Sequence, residues 1–246
     1  MFDYEIKIAQ SEEEKLEAFR LRFAVFKREL GDKKGMISDR EIETDIYDKF
    51  CDHLIVVDKA KKLVVGTYRL LLGSKVDPKI GFYSQKFFNI DKIKKLGKKI
   101  LELGRSCVHK DYREGIVVNL LWNGIAKYTK DNEVRYLFGS VRLNTTEPEE
   151  VSKEFSLIKQ RYYAPKEFGV YPLKDCAFNN LDENSKVEDS KKSFLRLPPL
   201  VKGYLRLGVK VCGLPAWDRD LNSVVLFILL DIERISDSYK RHFLGL

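Results

Sequence analysis

Hydrophobic and polar positions alternate along residues 100–108 and then change to a helical spacing. The apolar side chains of the first stretch are separated by polar or small residues, and this period of two predicts a strand. The polar residues 109–114 predict a loop. From Val117 to Tyr128 the apolar positions recur every three or four residues, which predicts an amphipathic helix. A strand, a loop and a helix N-terminus in this order can hold an anion, because the first helical N–H groups have no intrahelical partner.

The rest of the chain repeats these two periodicities, which indicates an α/β protein. Strands are predicted over 2–8, 53–58, 63–72, 134–141, 209–212 and 224–231. A helix is expected to begin at Ser11, capped reciprocally with Glu14, and to stop at Gly31. Further helices are predicted over 155–163, 197–208 and 236–246, with turns at 144–150 and 213–218 and loops at 31–50 and 174–192.

Composition and charge narrow the partners. The chain has 246 residues and a formal net charge of +8, which suits an acidic carrier protein or an anionic membrane face, or else a solvated surface without a partner. No nucleic-acid motif accompanies the charge, so we expect no nucleic-acid partner. The four cysteines form no C-x-x-C pair, and we expect buried thiols and no metal site. No apolar run approaches the roughly 20 residues that span a bilayer, and the N-terminus lacks a secretory segment, so we expect a cytoplasmic protein.

The candidate chemistry begins with a carboxylate and a guanidinium on the central strand. Glu102 and Arg105 are three residues apart, so in an ideal strand they point to opposite faces. A bulge near Gly104 would change that relationship.

A second group of candidate residues precedes this strand. Arg22 and Phe26 are four apart on the first predicted helix, and a guanidinium beside an apolar stripe needs an anionic partner. Phe26 is equally compatible with ordinary core packing. Asp45 and Asp48 belong to an acidic loop, which is either solvated or placed to bind a cation or pair with an arginine.

The ordered set of motifs resembles one family of acyltransferases. The segment Glu102-Leu-Gly-Arg105-Ser-Cys-Val108 resembles the Glu-x-x-Arg segment shared by acyl-homoserine-lactone synthases and the N-acyltransferases that make ornithine lipids, both of the GNAT superfamily. Upstream, Arg22, Phe26, Asp45 and Asp48 follow the order and rough spacing of these families, and Arg69 occupies the family's arginine position. Residues 80–88, and the C-terminal block from Leu197 to Asp218, look like the ornithine-lipid type.

The resemblance implies a fold and a domain layout. We expect a single α/β domain of GNAT type over 1–246, with a mixed twisted sheet and helices on both faces. Its core would span about 1–145, and a C-terminal extension would span about 146–246.

The resemblance also implies an activity, which is transfer of a (3-hydroxy)fatty acyl group to the α-amino group of an amino acid such as ornithine. Glu102 is the candidate general base and Arg105 the second catalytic residue. Backbone N–H groups near the bulge would hold the thioester oxyanion. No histidine is placed by sequence to activate Cys107 as a covalent nucleophile. The expected substrate-binding residues are Arg22, Phe26, Asp45, Asp48, Arg69, Phe82, Ser106, Cys107 and Val108.

The acyl donor is expected to be acyl carrier protein. Coenzyme-A-using members carry two glycines in the loop after the central strand, where this chain has Ile116 and Val118. We therefore expect no tightly bound cofactor and a 4'-phosphopantetheine thioester as co-substrate. A basic segment before the central strand is either a solvated helix face or the carrier's docking surface. The docking residues would be Lys92, Lys94, Lys95, Lys98, Lys99 and Arg113.

Two alternatives stay open. The first is an acyl-homoserine-lactone synthase, against which we count the C-terminal block, which we expect such synthases to lack, and the absence of a tryptophan before Trp122. The second is a non-catalytic basic lipid-binding protein, against which we count Glu102 and Arg105. Because the product would be a lipid, peripheral contact with the inner membrane face fits the main reading.

Overall fold

The computed structural model describes residues 3–29, 31, 41–97, 99–187 and 189–235. Within them the chain forms two compact units, the first from residues 3–81 and 101–134 and the second from 82–100 and 135–235. The single-domain layout with a boundary near residue 145 stays a prediction.

The strands and helices follow one another in a mixed α/β order. The strands are β1 (Tyr4–Ile8), β2 (Asp52–Asp58), β3 (Leu63–Leu72), β4 (Phe88–Asn89), β5 (Ile100–Val108), β6 (Tyr136–Arg142), β7 (Tyr171–Pro172), β8 (Lys210–Asp218) and β9 (Ser223–Asp231). The α-helices are α1 (Glu12–Arg22), α2 (Asp91–Lys94), α3 (Ile116–Asp131), α4 (Pro148–Tyr162), α5 (Ser190–Arg196) and α6 (Pro199–Arg206).

The first unit is an antiparallel sheet in the order β1-β2-β3-β5, covered on both faces. On one face α3 lies so close that a Cβ at Gly66 would meet Val117 at 2.6 Å. On the other face Leu21 and Val25 pack in one cluster with Ile55 of β2. Both faces of β3 are therefore buried, in agreement with the apolar residues at both of its ends.

The first helix begins as its sequence predicts and ends differently. The Ser11 hydroxyl accepts from Glu14 N, and the Glu14 carboxylate accepts from Ser11 N, so the predicted capping box is confirmed. The α-helix ends at Arg22, however, and continues as a π-helix over Phe23–Glu29. The predicted uninterrupted α-helical spacing is therefore wrong beyond Arg22, because a π-helix carries more residues per turn.

The second unit contains an antiparallel sheet in the order β6-β9-β8, the short antiparallel pair β4-β7, and the helices α4, α5 and α6. The turn predicted over 144–150 is partly wrong, because α4 begins at Pro148, in the first turn of a helix where proline is tolerated. The short strand and turn predicted over 209–218 are one strand, β8, with a bulge between Cys212 and Ala216.

Two further predictions concern a terminal helix and the presence of membrane spans. The helix over 236–246 lies outside the described residues. In the part of the chain that the structure describes, no helix has the length and apolar character that a bilayer span requires.

Candidate active site

Six charged side chains of the first unit form a closed ring in which the sign alternates. Arg22 binds Glu43 and Asp48, and Arg69 binds Asp48 and Asp45. Arg105 closes the ring by binding Asp45 and Glu43. Each guanidinium thus bridges two carboxylates, and each carboxylate bridges two guanidinium groups. The ring sums to zero charge, and this balance allows it to exist at low exposure. We call this set, Arg22, Glu43, Asp45, Asp48, Arg69 and Arg105, the charge ring.

The ring draws its members from four parts of the first unit. The arginines come from α1, β3 and β5, and the carboxylates from the segment 43–48. Glu43 N donates to the Phe19 carbonyl, which ties the segment to α1, and within the segment Asp45 N donates to Asp48 Oδ2 at 2.7 Å. A second local bond runs from Tyr47 N to Asp45 Oδ1. The acidic segment 43–48 therefore supplies all three carboxylates that bind the arginines of the ring.

Burial and charge act against each other at the ring's carboxylates. Burial alone would raise the pKa of Asp48, but Arg22 and Arg69 outweigh it and hold that pKa well below its usual range. The pKa of Asp45 is lowered in the same way, with burial opposed chiefly by Arg69. At neutral pH the ring therefore keeps these aspartates ionised.

The bulge expected near Gly104 is present in β5. Cys107 pairs with Thr67 and Gly104 with Arg69, so Arg105 and Ser106 together oppose Tyr68 alone. The φ angle of Arg105 is 48°, a left-handed conformation that is uncommon outside glycine. Because of this backbone turn, Arg105 lies on the same face of the sheet as Arg69. Both arginines bind the Asp45 carboxylate from that face.

Glu102 lies on that same face. It is 5% exposed and pairs across the strands with Leu71, whose side chain shares a face with Arg69 two residues away. Glu102 and Arg69 both lie near the Cys51 thiol. Burial raises the pKa of that thiol to about 12, and the charges of Arg69 and Glu102 act on it in opposite directions. The bulge thus places Glu102 and Arg105 on one face, although their spacing would separate them in a regular strand.

The residues after the bulge differ in their surroundings. Cys107 is buried in the cluster that contains Leu21 and Ile55, and burial raises the pKa of its thiol to about 12. Its side chain is therefore an apolar core residue and not a thiolate. Ser106 and Val108 are half-buried. Among the aromatic residues, Phe26 lies under Arg105, at 6.0 Å from its Cζ, whereas Arg22 lies over Phe19.

The remaining predicted residues are divided between the two units. In the second unit, Phe82 is buried against Phe138, and the side chains Lys92, Lys94, Lys95 and Lys99 are exposed. Lys98 lies outside the described residues. In the first unit, Arg113 binds Glu29 at 2.7 Å and the Val108 carbonyl at 3.1 Å. Of the predicted site residues, the structure thus brings Arg22, Asp45, Asp48, Arg69 and Arg105 into direct contact.

Glu43 is a ring member that was absent from the predicted site residues. Four carboxylates occur between residues 41 and 48, and the sequence does not say which of them point inward. The signal is the charge count: the buried Arg22 and Arg69 and the half-buried Arg105 need three carboxylates, and the predicted site residues of this segment are only Asp45 and Asp48.

Comparison with known proteins identifies the family. Residues 21–123 match the model of the acetyltransferase (GNAT) domain. The chain is 31% identical to an L-ornithine N(alpha)-acyltransferase of Rhodobacter capsulatus, over 98% of this chain and 94% of that protein. It is 33% identical to the protein of the same name from Brucella abortus, over 97% of this chain and 88% of that protein. The chain belongs to this family. It is therefore a GNAT N-acyltransferase, as the resemblance implied, and the predicted α/β fold of GNAT type is confirmed.

Solved structures share the fold at low identity. The CoA-dependent acyl-homoserine lactone synthase BjaI superposes with a TM-score of 0.58 at 15% identity, over 99% of this chain and 90% of that one. FeeM, an N-acyl amino acid synthase from uncultured soil microbes, superposes with a TM-score of 0.57 at 11% identity, over 100% of this chain and 97% of that one. The first match extends over nearly the whole chain, so a homoserine-lactone synthase can share the fold of the C-terminal part. The absence of the sequence motifs of the C-terminal block from such synthases stays a prediction.

Proposed function

We propose that this enzyme transfers a fatty acyl group from a thioester to the α-amino group of ornithine or a similar amino acid. Glu102 carries the proposal. It is a buried carboxylate on the strand that supplies Arg105, and on the sheet face where the charge ring lies. The ring consists of six other side chains whose charges offset one another. Glu102 is therefore an acid–base group on this face in addition to the ring.

The chemistry requires two protons to leave the acceptor nitrogen. An α-amino group has a pKa near about 8 and is mostly protonated at neutral pH. We assign its deprotonation to Glu102, directly or through one water. The free amine then attacks the thioester carbonyl carbon, the C–N bond forms and the C–S bond breaks. The attacking nitrogen loses a second proton as the C–S bond breaks. One of the two protons passes through Glu102 to the departing thiolate and the other is released to solvent, so the products are an amide, a thiol and a proton.

The bulge supplies the groups that would stabilise the transition state. Where two residues oppose one, the hydrogen-bond ladder between the strands is interrupted. We propose that the backbone N–H groups at Arg105 and Ser106 bind the oxyanion that develops on the carbonyl oxygen. The charge ring acts as the rigid support, since it fixes Arg105 through Glu43 and Asp45.

We propose acyl carrier protein as the donor. The exposed lysines near α2 suit an acidic protein, and their electrostatic attraction would raise the rate of encounter. The residue at the second family glycine position, Val118, is half-buried in the first turns of α3, and Ile116 before it is 46% exposed. Branched side chains at both positions leave less room for a pyrophosphate than glycines would.

Acyl-homoserine-lactone synthesis is a second candidate, because the fold likeness to BjaI covers nearly the whole chain. The two reactions differ in acceptor, which is an amino acid in one and S-adenosylmethionine in the other. Offering both acceptors separately to the purified enzyme therefore distinguishes them.

The test is a purified assay with acyl carrier protein or coenzyme A thioesters and a panel of amino acids, with products read by mass spectrometry. We expect N-acyl ornithine or a related product, and a loss of roughly 10²–10⁴-fold in kcat for Glu102→Gln. Glu13→Gln, an exposed position on α1, is the matched control. Full activity of Glu102→Gln would remove the general-base assignment, and turnover only with S-adenosylmethionine would favour the second candidate.

A further inference from the structure

The segment from α5 to the start of β8 in the second unit is basic throughout. Between Ser190 and Trp217 the sequence has no Asp or Glu, although the chain as a whole has 37. The cations of this segment are Lys191, Lys192, Arg196, Lys202, Arg206 and Lys210. The cations of α5 and α6 could therefore attract one anionic partner, because no carboxylate of the same segment offsets their charge.

The two helices fold back on each other and join these charges into one surface. They are separated only by Leu197 and Pro198. The Lys202 ammonium donates to the Leu195 carbonyl at 2.9 Å, and the Arg206 guanidinium lies 5.8 Å from the centre of the Phe194 ring. The cations of α6 thus lie beside the apolar residues of α5. We call the exposed side of these helices the α5–α6 surface.

Two leucines project from this surface. Leu195 is 58% exposed and Leu200 is 40% exposed, although α6 buries other apolar residues such as Val201 and Leu205. On α6 the exposed positions Leu200, Gly203 and Arg206 recur every three residues and define its outer side. Exposed leucines surrounded by Lys and Arg are the composition of helices that lie in a membrane interface.

We propose that the α5–α6 surface docks the enzyme onto an anionic lipid bilayer. The cations supply attraction to the headgroups, and Leu195 and Leu200 enter the boundary between headgroups and acyl chains. A solvated surface would account for the charges but not for the leucines. Docking to an acidic carrier protein would account for the charges equally, and it is an outcome that the test distinguishes.

The test is cosedimentation of the full chain with vesicles of phosphatidylcholine alone or mixed equally with phosphatidylglycerol. We expect binding to the anionic vesicles only, decreasing as salt is added. Lys191→Gln/Lys192→Gln should weaken the partition coefficient about 25-fold, at about fivefold for each cation. Leu195→Ser and Leu200→Ser should each weaken it about tenfold, since each leucine buries part of its side chain.

Matched variants separate this surface from general charge and apolarity. Lys166→Gln/Lys174→Gln removes the same charge from exposed sites of the second unit, and Tyr171→Ser removes an exposed aromatic residue there. Both controls should bind vesicles like the native protein. Equal binding by the surface variants and the controls, or no binding at low salt, would overturn the proposal.

The remaining outcomes are equally informative. If Lys191→Gln/Lys192→Gln weakens binding of acyl carrier protein while the native protein ignores all vesicles, the surface serves the carrier and the membrane proposal is wrong. N-acylation in solution, without vesicles, should be unchanged in every surface variant. Failure of membrane docking therefore leaves the proposed reaction untouched, and failure of the reaction leaves docking testable.

Discussion

Asp48 accepts two parallel hydrogen bonds from Arg22, at 2.7 and 3.0 Å, with both side chains buried. The fork of a guanidinium matches the two oxygens of a carboxylate, so the pair has a single favoured geometry. Arg69 reaches the same carboxylate at 3.2 Å. Asp48 thus links α1 to β3, because it binds an arginine from each of them.

Removing the charge of Asp48 should destabilise the protein strongly. Asp48→Asn leaves Arg22 and Arg69 each short of one buried counter-charge, and breaking a buried pair costs about 3–5 kcal/mol. Urea unfolding should show that loss in the free energy of unfolding. Glu17→Gln, which breaks an exposed pair with Arg20, should change it by about 1 kcal/mol or less. Similar effects of the two variants would contradict a cooperative ring.

The ring should also make stability depend on acid. The pKa of Asp48 is lower in the folded chain than its ordinary value of 3.8, so its contribution is complete above that value and is lost as the pH falls. The stability difference between native protein and Asp48→Asn should therefore shrink below about pH 4. A difference that stays constant with pH would show that the carboxylate's charge is not what stabilises the fold.

Cys107 should be dispensable for catalysis. Its thiol is buried and its pKa is raised to about 12, so almost none of it is thiolate at neutral pH. Cys107→Ala should keep kcat within about twofold, and it should lose about 1 kcal/mol of stability from the small cavity. An acyl-enzyme detected by mass spectrometry on Cys107 would contradict this.

Glu154 of α4 should destabilise the second unit at alkaline pH. Burial and the nearby Glu150 raise its pKa to about 7, while Arg196 acts in the opposite direction. Its Oε2 has no hydrogen-bond partner among the described residues. Because the folded state holds this proton more tightly, the stability it contributes is present below pH 4.5 and is lost as the pH rises through 7.

Glu154→Gln should therefore raise the free energy of unfolding by about 2 kcal/mol near pH 8, and by less than about 1 kcal/mol near pH 5. Thermal or urea unfolding at both pH values would measure it. Glu167→Gln, an exposed carboxylate of the same unit, is the control and should change little. An equal gain at both pH values would point to packing rather than ionisation.

Two glycines of the second unit should respond to alanine in opposite directions. Gly213 has φ +74°, and a Cβ there would lie 2.5 Å from the Val170 carbonyl oxygen. Gly213→Ala should cost about 2 kcal/mol or more. At Gly203 of α6 no heavy atom of the described residues lies within 4 Å of the added Cβ, and Gly203→Ala should stabilise by about 0.5–1 kcal/mol. Urea unfolding of the two variants tests the pair.

The sequence predicted the elements whose signals are local. The capping box at Ser11, strands β2, β3 and β9, and the helix α3 follow from side-chain spacing and from one cap, and the structure has them. The π-helix after Arg22 was missed because it depends on what the helix packs against. The glycine and proline of residues 213–218 predict a turn, but they are equally compatible with a bulge, which is what β8 has.

The sequence predicted most residues of the candidate site, but not the contacts between them. Arg22, Asp45, Asp48 and Arg69 could be named from a resemblance, but the sequence could not show that Glu43 joins Arg22 to Arg105. That link depends on a bulged backbone with a left-handed Arg105, which is a tertiary feature. The closed pattern of contacts therefore emerged only from the structure.

The alternating order of the charge ring restricts how this protein can vary. Because each member contacts two groups of opposite sign, one substitution leaves two neighbours unbalanced at the same time. Related chains can be expected to keep all six positions or to exchange several of them together. An engineer who wishes to alter acyl-chain or acceptor preference therefore has more freedom at positions outside these six.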